Sequence, residues 1–472
     1  MLFNSLDFAV FLPLVFALFW ALPARRTDLR NGLLLLASYV FYASWVPKYL
    51  LLILLSSTVD YLTGGAIHRS ASQQRRRLLL CVSLVINLGI LCTFKYFNFF
   101  AAEATALLNA LGFQANPVHL SFLLPVGISF YTFQSLSYTI DIYRRQLEPA
   151  KTFYQYLLFV AFFPQLVAGP IVRAKQLLEQ FLAPPRLTVD GAGRAVLLIG
   201  LGLVKKVAIA DYLGSHLVDP VFSNPQMYSS IETLAAVWGY AFQIYADFSA
   251  YSDIAIGSAA LLGFDIPINF NAPYTAVDLR DFWQRWHISL STWLRDYLYI
   301  PMGGSRKGPI RTYLNLAATM LIGGLWHGAA LTFVAWGAIH GAALIVTRLL
   351  QRLGIGKKVP GVVARGLGGF FTFHVVCAAW VFFRAPDFDT AQEVFASIAA
   401  LSPGTGNLPL PAAGILLAAA VTHWIPADWM DRLRALFCRL PSPVQAAFVI
   451  ALVFAASRLA STEVAPFIYF QF

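Results

Sequence analysis

From Thr312 to Leu350 the chain is almost wholly apolar, and few folds accept such a stretch. About 20 apolar residues in helical form cross the hydrocarbon core of a bilayer. In lipid, each backbone polar group must find its partner within the protein, which makes helix the natural form. In the middle of this stretch stands Trp326-His327-Gly328. Burying an imidazole at membrane depth is unfavourable unless partners or water lie nearby, so His327 is a functional-site candidate. A packed histidine bonded to a neighbouring carbonyl is the plain alternative. Gly323, Gly324, Gly328, Gly337 and Gly341 would let a neighbouring helix or a ligand approach closely.

The rest of the chain agrees with a membrane setting. Of its 472 residues, 58% are hydrophobic and 12% charged, against about 25% charged in soluble domains. The net charge of +11 does not call for nucleic acid, because cytoplasmic loops of membrane proteins collect Lys and Arg. Arg25, Arg26 and Arg30 follow the first apolar run rather than precede it, so that run is expected to be a retained helix and not a cleaved leader. Cys81, Cys92, Cys377 and Cys438 are dispersed, with no CxxC or Cys/His cluster, and indicate neither a metal site nor a disulfide framework.

Basic residues mark the inner loops: Arg25 to Arg30, Arg69 to Arg77, Arg144 to Lys151, Arg280 to Arg311, Arg348 to Arg365 and Asp428 to Arg439. Crossings are expected near 6–22, 31–46, 48–66, 78–100, 121–142, 195–218, 231–263, 312–328, 330–349, 367–384, 407–424 and 444–462. This is an all-α polytopic membrane protein of about 11–12 transmembrane helices, forming one domain over 1–472, with both termini outside. Lys48 and Arg384 fall on the wrong side of this scheme. Segment 153–171, with Pro164, Gly169 and Pro170 inside it and basic residues at both ends, reads as re-entrant. No internal repeat is evident, which weakens a transporter built from inverted repeats.

Three further constellations carry chemistry. Asp281 to Ile300, read as one helix, puts Trp283, Trp286, Leu290, Trp293, Leu294 and Tyr297 on one face. Arg285, Ser289, Thr292 and Asp296 lie on another, and His287 sits at the border. This is either an interfacial amphipathic helix or a cavity wall bearing a second titratable group suited to general-base work. In Gln243 to Gly257, Asp247 and Asp253 lie in an apolar run; Ser249 and Asp253 are four apart, as are Asp247 and Tyr251. Such carboxylates need partners from another segment, with Arg280, Arg285 and Arg295 the obvious ones; a structural ion-pair network competes with catalysis. The terminal Phe467-Ile468-Tyr469-Phe470-Gln471-Phe472 reads by itself as an interfacial aromatic belt.

Taken together, FDIPINFNAPYTAVDLRDFWQRWHISLSTWLRDYLYIPMGG, QIYADFSAYSDIAIG, GGLWHGA, AWVFFRAPDF and FIYFQF, in that order, resemble the membrane-bound O-acyltransferase (MBOAT) superfamily. The likeness runs from the opening MLFNSLDFAVFLPL to the last residue. It is closest to the bacterial branch with the alginate O-acetyltransferase membrane subunit and the teichoic-acid D-alanylation membrane protein. The resemblance implies a helical ring with re-entrant elements around a tunnel open to both sides of the membrane. It implies His327 as the essential catalytic residue and His287 as the second signature position. It also implies an acyl donor inside and acceptance outside, with no permanently bound cofactor and acetyl-CoA as the donor substrate. The FIYFQF end resembles the FxYxxF terminus of a small peptide in the D-alanylation systems, whose tyrosine is implicated as a transient acyl acceptor; Phe467, Tyr469 and Phe472 match it.

The expected chemistry is transfer from a thioester to a hydroxyl, with His327 as general base and His287 polarising the thioester carbonyl or orienting the donor. Trp326, Asp247, Ser249, Asp253 and Arg285 are supporting or tunnel-lining candidates, and no metal is called for. A phenol ester, Tyr469 in this chain, is a sensible relay, since a pKa near 10 makes phenol a better leaving group than an alkyl alcohol. The expected setting is the bacterial inner membrane and its lipids, with a periplasmic SGNH-hydrolase-like partner passing acetyl to alginate, cellulose, peptidoglycan or another exopolysaccharide. Acylation of a lipid or protein, and a transporter without chemistry, are the competing readings.

Overall fold

A computed structural model describes residues 1–354, 361–458 and 467–470. Helix accounts for the regular structure, and no strand occurs among the described residues. Among the described residues each expected crossing overlaps a helix, but the helices are not equivalent. Pro47–Arg69, Gln73–Ala110, Leu331–Leu353 and Gly361–Arg384 are each long and apolar enough to cross a membrane. Leu410–His423 and Asp428–Cys438 form a pair bent by 94°. Other helices are short or interrupted, and Ser230–Leu261, though 32 residues long, carries Glu232, Asp247 and Asp253. Large apolar side chains point outward along many helices: Leu6, Val10 and Leu14 on one, Leu51, Leu55 and Leu62 on another, Phe370 and Phe371 on a third. Such a surface would be a liability in water and is ordinary in lipid. The chain is an all-α polytopic membrane protein.

Its contacts group into two compact units, Met1–Leu187 with Ser258–Pro267, and Thr188–Gly257 with Ile268–Phe472. In the first unit, Phe3, Phe8, Phe11, Phe41 and Phe163 form an aromatic core. Segment 153–171 is broken: Phe153–Ala161 ends where Phe162 turns extended, and Phe163–Leu166 follows. Leu158 to Phe163 are wholly buried, so the irregular backbone lies inside protein. Asp60 is also buried there, accepting from Ser83 Oγ at 2.5 Å and Asn87 Nδ2 at 3.0 Å. Two of the expected inner loops meet: Arg145 donates to the carbonyls of His68 and Ser70, and Arg76 to that of Tyr143.

The second unit holds all the site candidates. Gly308–His327 and Leu331–Leu353 form a tight helical hairpin. At Gly337 any Cβ would overlap the Met320 carbonyl, so the two backbones touch through the missing side chain. This glycine serves helix packing. Arg384, on the wrong side by the loop rule, is held by Asp219 at 2.6 Å and lies over the Phe222 ring.

Candidate active site

The segment Asp281 to Ile300 is not one helix. It breaks at His287, which stands between Leu279–Arg285 and Ile288–Leu294 with left-handed backbone, φ 41° and ψ 57°. A residue with a Cβ is disfavoured there by roughly 1–2 kcal/mol, and such outliers gather at functional sites. No Gly or Pro in the sequence announces the break. Asn269 secures it. Its carbonyl accepts from the Ile288 N–H at 2.9 Å, and its Oδ1 accepts from the Ser289 N–H at 3.2 Å and Ser289 Oγ at 2.9 Å. His287 Nδ1 lies 3.1 Å from that same Oδ1. A backbone N–H can only donate, so the atom facing Ser289 is oxygen, and Nδ1 must carry the proton. In the neutral ring Nε2 then presents a lone pair.

His327 ends its helix, and the turn after it depends on Gly328, where a Cβ would overlap the Phe333 ring. The imidazole is buried between aromatic rings: Trp326 at 4.9 Å, Trp336 at 4.8 Å and Phe383 at 5.2 Å. His287 lies 6.1 Å from the same Trp326 and 4.6 Å from Phe248. The two histidines, forty positions apart, thus share one aromatic cluster. Ring pairs of this kind contribute about 0.5–1.5 kcal/mol each beyond their burial, which holds the imidazoles in place.

Tyr469 enters the same cluster. Its ring is 4.7 Å from Phe248, 6.1 Å from Phe383 and 5.5 Å from His327. Phe467 is fully buried against Tyr251 at 4.4 Å and Phe248 at 5.4 Å. Residues 467–469 are therefore core rather than an outer belt, while Phe472 lies outside the described residues. Between the two rings, the Ile468 N–H donates to Asp247 Oδ2 at 2.7 Å.

The cations that meet the two carboxylates are lysines, not the arginines expected from the sequence. Lys206 Nζ is 2.8 Å from Asp247 Oδ1 and 2.7 Å from Asp211 Oδ1. Lys205 Nζ is 2.5 Å from Asp253 and 2.9 Å from Ser249 Oγ, a separate pair in which Ser249 and Asp253 serve together. Both lysines lie in a π-helical turn, Lys205–Asp211, that continues Val189–Val204. Arg285 turns to its own helix, binding Asp281 at 2.7 Å, with Thr275 at 3.3 Å. Asn269, Lys206, Asp211, Phe248 and Trp336 are site neighbours that the sequence did not single out.

Residues 151–383 match the membrane-bound O-acyltransferase family. The chain is 42% identical to the probable alginate O-acetylase of Azotobacter vinelandii over 404 residues, 84% of this chain and 78% of that one. It is 36% identical to the peptidoglycan O-acetyltransferase of Helicobacter pylori over 431 residues, 85% of this chain and 80% of that one. The teichoic acid D-alanyltransferase of Streptococcus thermophilus is 30% identical over 281 residues, 55% of this chain and 68% of that one. With likeness over so much of its length, the chain belongs to the membrane-bound O-acyltransferase family and is a multi-pass membrane enzyme that transfers acyl groups to oxygen.

Proposed function

We propose that this enzyme takes an acetyl group from a cytoplasmic thioester, acetyl-CoA, and passes it through Tyr469 to a periplasmic SGNH-hydrolase-like partner that O-acetylates a cell-surface polysaccharide. The observation that carries the reading is the Tyr469 ring, 5.5 Å from that of His327 inside a buried aromatic cluster. A thioester is already activated, so the protein has to place the hydroxyl, remove its proton and exclude water. His327 takes the phenol proton as Tyr469 attacks the thioester carbonyl; the C–S bond breaks, and the proton returns to the departing thiolate. His287, with Nδ1–H committed to Asn269, accepts through Nε2 when neutral, which favours orienting the donor over polarising its carbonyl. The named substrates of two relatives, alginate and peptidoglycan, support a saccharide hydroxyl as the final acceptor over a lipid or protein. On this reading the enzyme works in the bacterial cytoplasmic membrane.

Two substitutions test this. His327→Ala should abolish polysaccharide acetylation while the protein still inserts and binds donor. Tyr469→Phe keeps the ring but removes the hydroxyl, and should block transfer with little change in stability. Mass spectrometry should find an acetylated peptide containing Tyr469 in the active enzyme and none in the His327→Ala background. Normal acetylation by Tyr469→Phe would end the relay reading.

A further inference from the structure

Residues 467–470 read Phe-Ile-Tyr-Phe, with aromatic rings at three of four positions. Aromatic packing is tolerant of which ring fills which place, so it leaves the register of this segment open. A slip of two positions would set Phe467 where Tyr469 now stands, and phenylalanine has no hydroxyl. A directional bond is needed to choose, and Asp247 supplies one. Its Oδ1 faces Lys206, its Oδ2 receives the Ile468 N–H, and the flanking Phe248 and Tyr251 receive the two rings. The bond is charge-assisted and buried, the setting in which a hydrogen bond is strongest. Lys206 is shared between two carboxyl groups, so Asp247 does not have the ammonium to itself. Its second buried oxygen is met by a donor from outside the trio, the Ile468 N–H.

We infer that Asp247, aimed by Lys206, is a positioning residue that fixes the register of the C-terminal segment and so delivers Tyr469, rather than a neighbouring ring, to His327. Its effect on turnover rests on the relay reading above; the seating itself does not. Asp247→Asn is nearly isosteric, but Lys206 will hold the amide oxygen and turn the NH₂ group toward the Ile468 N–H, donor against donor. Asp247→Ala removes the acceptor and leaves Lys206 paired with Asp211, so no buried charge is stranded.

A photoreactive benzoylphenylalanine at position 467 of the full-length enzyme, in detergent, reads the seating directly. With Asp247 present, crosslinks should concentrate on the peptide holding residues 247–251. Asp247→Asn and Asp247→Ala should each lower that yield by about tenfold or more, the range for losing a hydrogen bond to a charged group. In otherwise native enzyme, both should lower kcat similarly with KM for acetyl-CoA little changed. Undiminished crosslinking to 247–251 in both variants would overturn the inference. Loss of the crosslink with kcat intact would uphold the seating and overturn the relay role of Tyr469.

Discussion

At the scale of single residues, the site joins one strained backbone to one side-chain amide. Asn269 holds three groups of the His287 turn through one oxygen, so its loss removes the bond that fixes the proton on Nδ1. Asn269→Ala should reduce acyl transfer by about tenfold to a hundredfold, the usual range for an outer partner of a site residue, with donor binding retained; steady-state kinetics and a binding assay separate the two. The strain also makes an unusual sign. In an ordinary helix glycine is less stable than alanine by about 1 kcal/mol, but at φ 41° the order should invert, so His287→Gly should melt at a higher temperature than His287→Ala. His327 and Asp247 can be picked out from sequence because titratable groups stand out in apolar runs, whereas His287 stands at the border of an amphipathic pattern and Tyr469 is marked only by the resemblance of its segment to the FxYxxF terminus. Asn269 and Lys206 are not: Asn269 lies in a segment between expected crossings, and Lys206, though it falls inside the expected crossing 195–218 beside Lys205, has no spacing that ties it to Asp247.

At the scale of elements, the pattern of apolar runs located the helices but not their interruptions. The break at His287 escapes any periodicity argument because Trp286 and Ile288 suit a continuous helix, and only the cap from Asn269 makes the turn affordable. The π-helical turn at Lys205–Asp211 is equally silent in sequence, yet its wider winding accompanies the meeting of Lys206 with both Asp211 and Asp247. The hairpin of Gly308–His327 and Leu331–Leu353 gives a controlled test. Gly337→Ala forces a methyl group onto the Met320 carbonyl and should destabilise by about 1–3 kcal/mol. Gly366→Ala, on Gly361–Arg384, meets no atom within 4 Å and should be neutral or slightly stabilising. Thermal unfolding of the two variants in the same detergent compares them.

At the scale of the whole molecule, charge distribution set the expected topology, and the meeting of the Arg69–Arg77 and Arg144–Lys151 regions puts those two loops at one end of the first unit. An engineered cysteine in either loop should resist an impermeant thiol reagent applied to intact cells and react after lysis; labelling of both loops from outside would reverse the orientation. The bond from Ile468 to Asp247 spans 221 positions. The described partners that residues 467–469 find elsewhere in the chain, from Asp247 to Phe383, are synthesised before they are. On the relay reading, a nascent chain therefore has its helices and both histidines in place while it still lacks an acceptor hydroxyl. Biogenesis itself then works as a safety catch: the thioester donor is not consumed until synthesis has passed Tyr469.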